Sequence, residues 1–418
     1  MDMKPVRLVI IGAGDRGNVY ASYARHHPER AKVVGVAEPI DARRDAMMTQ
    51  YALPESNAFR DWRDLAKLDR FADVAVVATQ DAMHEGPAVA LANKGYHLLL
   101  EKPMAPNKEG CKNIVGAVLR NDVMFSVGHV LRYTRFTRRL KSIIDSGAIG
   151  EVVGIQRLEP VGYWHQAHSF VRGNWRNEKE SSFMLLAKSC HDIDWIRYVM
   201  GRRCTSVSSF GNLFHFREDN KPANAGSRCT ECDYEPDCPY SALKIYLGFV
   251  DKGVTGWPVH VLLDGEPTRE RVMSALQSGP YGRCVYACDN DVVDHQVVNM
   301  EFEGGGTASF TMMAFTKARQ RETRIFGTRG EAYGNGTRIE VHDFQTDTTS
   351  TIDTSADDPS SLSDHGGGDY ALMDSFVEAV ATGDRSHILS GPQETLESHL
   401  ITFAAEESRQ KKRVVVLQ

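Results

Sequence analysis

The sequence predicts an α/β fold: an N-terminal doubly wound parallel sheet, followed by a second α/β region rich in strands. Three observations carry this. Short apolar runs alternate with helical patterns over about the first 130 residues, the alternation that builds a parallel sheet. Those runs are near-continuous, as strands buried on both faces must be. Beyond residue 150, strand-like runs are separated by glycine turns.

The 418 residues suffice for two or three domains. A hydrophobic share of 42% with 25% charged residues is the balance of an ordinary soluble globular protein. A net charge of −6 without a long basic block argues against nucleic-acid or anionic-membrane partners. No apolar stretch approaches the roughly 18 residues that span a bilayer. The first apolar run meets Gly12 too soon to be a signal peptide, so the expectation is a cytoplasmic protein.

Val6–Ile11 reads as a buried strand. Gly12-Ala13-Gly14-Asp15-Arg16-Gly17 follows, and Asn18–His26 has helical patterning. A Gly-x-Gly-x-x-Gly between strand and helix lets backbone approach a pyrophosphate, with the helix N-terminus supplying N–H donors and positive potential. Lys32–Ala37 is the second strand, and Glu38 stands at its end. This is close to the roughly 20-residue offset of the acid that holds the adenine-side ribose. A carboxylate there repels a 2′-phosphate and favours NAD over NADP. Arg43 and Arg44 read as solvated helix charges. Asp73–Ala78 is a further strand, capped by Thr79 to His84. Leu98-Leu99-Leu100 runs into Glu101-Lys102-Pro103, where proline ends the ladder for want of an N–H. Lys102 therefore stands at the carboxyl edge of the sheet, where ligands bind in open α/β folds. Val123–Val127 is another strand, with Gly128-His129 at its end.

In the second half, Val152–Leu158, Val292–Phe302, Gly306–Phe315 and Thr323–Phe326 have strand character. Thr346–Asp364 is polar and reads as a surface loop holding a short strand. His365-Gly366-Gly367-Gly368-Asp369, a ligand approach or a hinge, precedes a helix over Tyr370–Ala381.

Of eight cysteines, Cys229, Cys232 and Cys238 form a knuckle-like cluster. A structural zinc takes four such ligands. Cys288 is the expected fourth, with Cys284 and His215 as alternatives, and free thiols or a disulfide are the rival readings. The insert from about 216 to about 289 looks too polar to hold itself together without the metal. Gly162 to Arg176 mixes aromatics with cations in a turn-like stretch. Aromatics stack on sugar rings and arginine grips anions through its fork. Arg132, Tyr133, Trp164, His165, His168, Arg172 and Trp175 are the candidate substrate contacts.

Gly12-x-Gly14-x-x-Gly17, Glu38, Ala78-Thr79-x-Asp81-x-x-His84 and Glu101-Lys102-Pro103, in that order, resemble the glucose–fructose oxidoreductase / inositol dehydrogenase family, written Gfo/Idh/MocA. The helix segment Ser189–Asp194 and a closing helix around Glu397–Arg409 fit as well. The resemblance implies a Rossmann domain over 1–130 and an α/β domain over 131–418 with a large, mostly antiparallel sheet. That sheet often forms oligomer contacts, so a homo-oligomer, dimer or tetramer, is expected. The resemblance implies NAD held by Gly12, Gly14, Asp15, Arg16, Gly17, Glu38, Thr79, His84, Glu101 and Lys102. It places Lys102 near the nicotinamide and the substrate hydroxyl. The family's second-domain helix carries Asp-x-x-x-His; here His191 matches, but Ala187 replaces the acid and Lys188 follows. Lys102, His191 and Lys188 are the expected catalytic residues. On an ideal helix Lys188 and His191 share a face. A lysine, with a reference pKa near 10.4, must be depressed by burial or another cation to act as a base.

The activity implied is hydride transfer at a secondary hydroxyl of a sugar or cyclitol. The alternative follows family members that resemble NAD-dependent glycosidases: C3 oxidation acidifies the C2 proton, elimination cleaves the glycoside, and the hydride returns. An anionic glycoside such as a sulfoquinovoside suits the cationic stretch. A third reading is an NAD-binding sensor without turnover.

Overall fold

The computed structural model describes residues 4–355 and 366–417. Six strands build the first sheet: β1 (Val6–Ile11), β2 (Ala31–Ala37), β3 (Ala58–Phe59), β4 (Val74–Val77), β5 (His97–Leu100) and β6 (Phe125–Val127). Their order is β3-β2-β1-β4-β5-β6 and every pair is parallel. Leu8 to Ile10, Val74 to Val77 and Leu98 to Leu100 are fully buried, which is why these runs carry no polar alternation. The order reverses between β1 and β4, so the crevice for a ligand opens beyond their carboxyl ends.

The second sheet has nine strands: β7 (Val152–Pro160), β8 (Cys204–Asn212), β9 (His295–Phe302), β10 (Thr307–Met313), β11 (Glu322–Gly327), β12 (Gly330–Gly334), β13 (Arg338–Asp343), β14 (Thr348–Asp353) and β15 (Val415–Val416). The order is β14-β13-β12-β11-β7-β10-β9-β8-β15; β7 and β10 pair parallel and the other pairs are antiparallel. Alternation sets the faces. Val298, Met300 and Phe302 of β9 and Ala308, Phe310 and Met312 of β10 point inward. They pack with Ile193, Trp195 and Ile196 of the helix Cys190–Met200 and Ile401 and Ala404 of the helix Pro392–Lys411.

The chain then returns to its first half. The helix Gly368–Thr382 buries Tyr370, Leu372, Met373, Phe376 and Val377 in the core that holds Tyr20 and Tyr23 of the helix Asp15–His26. The expected border at residue 130 is therefore crossed by a later element. Residues 356–365, which include His365 and most of the polar stretch after β14, lie outside the described residues.

Two expectations change. The stretch after Gly162 is helical rather than turn-like: Tyr163–His165 leads into a π-helical run, Gln166–Arg172, whose residues are all buried. The 216–289 insert has its own apolar core, with Phe216, Tyr246, Val259, Val272, Leu276 and Val285 packed together. Its sequence looks polar because those residues are spread over many short turns. Among the described residues no helix is long and apolar enough to cross a membrane.

Candidate active site

The glycine loop after β1 is packed against the end of β4. Gly12 has φ +92°, and a Cβ there would lie 2.7 Å from the carbonyl oxygen of Ala78. A Cβ on Gly17 would lie 1.9 Å from the carbonyl oxygen of Gly12, so the helix Asp15–His26 can start this close to the strand only with glycine. Glu38 is buried, and its carboxylate accepts from the N–H of Ala13 at 2.7 Å and of Ile40 at 2.9 Å. The hydroxyl of Thr79 and one carboxylate oxygen of Asp81 are buried without a protein partner at the same edge. A glycine cradle, a carboxylate at the end of β2 and unpartnered polar atoms beside them fit a dinucleotide.

Other expected cofactor residues brace this loop. Half-buried Arg16 bridges the buried carboxylates of Glu101 and Asp369, and donates to Tyr20 at 2.8 Å. Burial opposes the charge on Glu101, but Arg16 and Lys102 hold its carboxyl below the usual range. His84 is fully buried, its ring nitrogens 2.8 Å from the carbonyl oxygen of Pro103 and 3.0 Å from that of Thr79. Arg44, expected in solvent, is buried and donates to the Glu38 carbonyl oxygen at 3.0 Å.

Lys102 reaches across to the second domain, and its Nζ donates to the carbonyl oxygen of Ala187 at 2.8 Å. The residue that lacks the family's carboxylate thus takes the ammonium on its backbone. The continuous helix expected to carry Lys188 and His191 is interrupted between them. The helix Met184–Ala187 ends before Lys188, and Ser189 immediately precedes the next one, Cys190–Met200. Lys188 turns toward Glu159 of β7, with Nζ 3.5 Å from its carboxylate. Burial lowers the Lys188 pKa; Glu159 opposes this, and Arg321 and Lys102 push it further down. The His191 ring lies 5.7 Å from that of His129.

Sequence reasoning missed the groups around Lys188. Arg321 lies 2.8 Å from Glu159 and 2.6 Å from Asp192. Arg157 binds Asp192 at 2.8 Å and lies over the Trp195 ring at 3.9 Å. Burial opposes the Asp192 charge, but Arg321 and Arg157 hold its carboxyl below the usual range. The only signal was a set of charges inside strand-like or apolar segments.

The expected substrate contacts divide. His165 faces the lysines: burial pushes its pKa well below the ordinary value, and Lys188, His168, Arg321 and Lys102 add to this. Trp164 and His165 stack at 5.6 Å, and Trp175 is partly exposed beside Phe170. His168 lies deeper, 2.8 Å from the Tyr246 hydroxyl and stacked on Tyr281. Arg132, Tyr133 and Arg172 are committed elsewhere. Arg132 is buried and bidentate on Asp194 at 2.7 and 2.6 Å. The Tyr133 hydroxyl accepts from the N–H groups of Leu389 and Ser390. Arg172 donates to the carbonyl oxygens of Arg283 and Tyr240 and to the Cys229 sulfur at 3.5 Å.

The expected zinc shell is not formed. Among the described residues no three His, Cys, Asp or Glu side chains are arranged to hold a metal ion. Cys229, Cys232, Cys238 and Cys284 line one small cavity, all as free thiols. Cys288 turns away, its thiol donating to the Cys284 carbonyl oxygen at 3.2 Å. The Arg172 guanidinium already lies against Cys229, where it would repel a second cation, and the insert's apolar core provides the cohesion expected of the metal.

An open parallel sheet with a glycine cradle at its switch point, roofed by a mixed-sheet domain that adds cations, defines a two-domain dinucleotide-binding protein. The chain belongs to the Gfo/Idh/MocA oxidoreductase family: residues 6–129 match its NAD-binding Rossmann fold and residues 141–417 its C-terminal alpha/beta domain. It is 26% identical over 207 residues to 2,7-anhydro-N-acetylneuraminate hydratase of Escherichia coli (strain K12), covering 49% of this chain and 53% of that protein. It is 29% identical over 143 residues to inositol 2-dehydrogenase of Salmonella typhimurium (strain LT2), covering 34% and 42%. The chain spans about half the length of such curated relatives. Among solved structures, an NAD binding oxidoreductase from Klebsiella pneumoniae matches at TM-score 0.72 and 16% identity over 99% of both chains. Levoglucosan dehydrogenase, solved with NADH and L-sorbose, matches at TM-score 0.71 and 18% identity over 100% of both. At these identities the likeness is one of fold.

Proposed function

We propose that the protein is an NAD-dependent oxidoreductase acting at a secondary hydroxyl of a sugar or cyclitol. The supporting observation is the junction of the two domains, where Lys102 reaches Ala187 and the adjoining Lys188 is half-buried with a lowered pKa. NAD, when bound in the glycine cradle, supplies the flat hydride acceptor. Oxidation also requires a group to take the hydroxyl proton and a charge to steady the oxygen. Lys188 is the candidate base and Lys102 the candidate cation. His191, across the helix break beside His129, is the second proton acceptor. Trp164 and His165 supply a platform for a sugar ring.

One observation favours a second reading. Lys102, Lys188, Arg321 and Arg157 surround the carboxylates of Glu159 and Asp192, so basic groups outnumber acids where the family carries an acid. Such a surplus suits an enolate. That supports transient C3 oxidation, elimination across C2 and return of the hydride, a reaction without net NADH. The hydratase relative points the same way. The anionic-glycoside version is weakened at Arg132, which is bidentate on Asp194, and at Arg172, which is buried against the carbonyl oxygens of Arg283 and Tyr240.

The test mixes the protein with NAD and a panel of free sugars and aryl glycosides, following absorbance at 340 nm and aglycone release. Stoichiometric NADH supports the first reading, and aglycone without NADH the second. NAD binding with neither signal supports a sensor. Lys102→Ala is expected to lower turnover by about a hundredfold or more; unchanged turnover removes Lys102 from the site.

A further inference from the structure

The insert reaches back to the glycine loop. His260, in the short turn His260–Leu262, has Nε2 3.0 and 3.1 Å from the carboxylate oxygens of Asp15, 245 residues away in sequence. Asp15 opens the helix that follows the glycines. Just before this turn, Trp257 packs on the other side of the cleft: its ring lies 4.9 Å from His165, 5.3 Å from His168 and 5.4 Å from Trp164. One lobe, with its own core, thus touches the cofactor loop with one residue and the aromatic platform with another.

We infer that the 216–289 lobe is a clasp over the dinucleotide, latched by the His260–Asp15 pair, and that the latch slows the release of NAD(H). His260 is then a positioning residue: it acts through Asp15 on the loop that would hold the pyrophosphate. The inference rests on NAD binding in the glycine cradle. Slow release suits a reaction that returns its hydride, because the reduced cofactor must stay until the last step.

The pair is pH-sensitive by construction. The Asp15 hydrogen bond raises the His260 pKa, and the same bond lowers that of Asp15. The charged groups facing the pair are Arg43 and Arg16, both acting on Asp15. His168, from the π-helical run, also faces His260, and burial keeps it neutral. The latch is therefore strongest while His260 is protonated and weakens as pH rises through its raised pKa, where a neutral hydrogen bond replaces the ion pair.

The test is the dissociation rate of NADH, read by stopped-flow fluorescence with excess NAD as competitor, at pH 6 and pH 9. For the wild type, release is expected to be about two- to fivefold slower at pH 6, the rate equivalent of a part-exposed ion pair. His260→Ala should release NADH at the faster rate at both pH values, with an unchanged unfolding temperature. His260→Lys, a permanent cation, should restore slow release at pH 9. Wild-type and His260→Ala rates that agree at pH 6 would overturn the clasp while leaving the cofactor site intact. Absence of NADH binding to the wild type would overturn the cofactor site and the clasp together.

Discussion

Lys188 and Lys102 differ in what surrounds them. Lys188 has a carboxylate at 3.5 Å and two cations in range, and burial decides the outcome by lowering its pKa. Of the two carboxylates that favour the Lys188 ammonium, Glu159 acts more strongly than Asp192. Glu159→Gln removes that charge, so the Lys188 pKa falls further. If neutral Lys188 takes the substrate proton, the acidic limb of the kcat/KM profile moves to lower pH, by about one unit. An unmoved limb assigns the proton to another group, with His191 next. Arg321 is the poorer target, because its loss leaves Asp192 and Glu159 buried with less compensation, a change that costs about 3 kcal/mol or more.

At the scale of elements, the turn after β1 allows the least change. Gly17→Ala places a methyl 1.9 Å from a backbone oxygen, and no rotamer relieves a Cβ. The helix start must shift away from the strand, and the affinity for NADH is expected to fall by more than about tenfold while far-UV circular dichroism stays native. Retained affinity, measured by fluorescence titration, would show that the cradle tolerates displacement. This element was legible because its motif is local: strand, glycines and helix are consecutive in sequence. The strands of the first sheet were legible for a related reason, since burial on both faces leaves an apolar run. The break at Lys188–Ser189 was not, because the segment fits an uninterrupted helix by residue type alone and tertiary contacts decide where it bends. The π-helical run Gln166–Arg172 escaped for the same reason. The insert's core was hidden by spacing, as its apolar residues sit singly in short turns rather than at a regular period. Glu159, Arg321 and Asp192 could be assigned only once β7 and the helix Cys190–Met200 were brought together.

Across the whole molecule, the chain's last helices close the junction between the two sheets, and they do so over buried histidines. His129 lies 5.7 Å from His191 and 5.4 Å from His399, ring to ring. His399 accepts the Met104 N–H through Nε2 at 2.9 Å while its Nδ1 lies 2.8 Å from the Thr395 carbonyl oxygen, a pattern that requires the neutral ring. Burial pushes the pKa of His129 and of His168 down to about 3, and lowers those of His165 and His399. The unfolded chain protonates these rings near their reference value of about 6.5, so between there and about pH 3 it binds more protons than the folded one. Stability therefore falls with pH through that window. Each histidine that stays neutral contributes a loss of about 2 kcal/mol between pH 7 and pH 5. Urea denaturation at the two values measures the sum, and His129→Gln should reduce the difference by one histidine's share. The His260–Asp15 pair has the opposite sign, since a raised histidine pKa strengthens the folded contact as pH falls. Between pH 7 and pH 5 the body of the protein should loosen while the clasp tightens. Hydrogen exchange at pH 5 and pH 7, corrected for the intrinsic rate, separates the two: protection is expected to drop around His129 and His399 and to hold around Asp15.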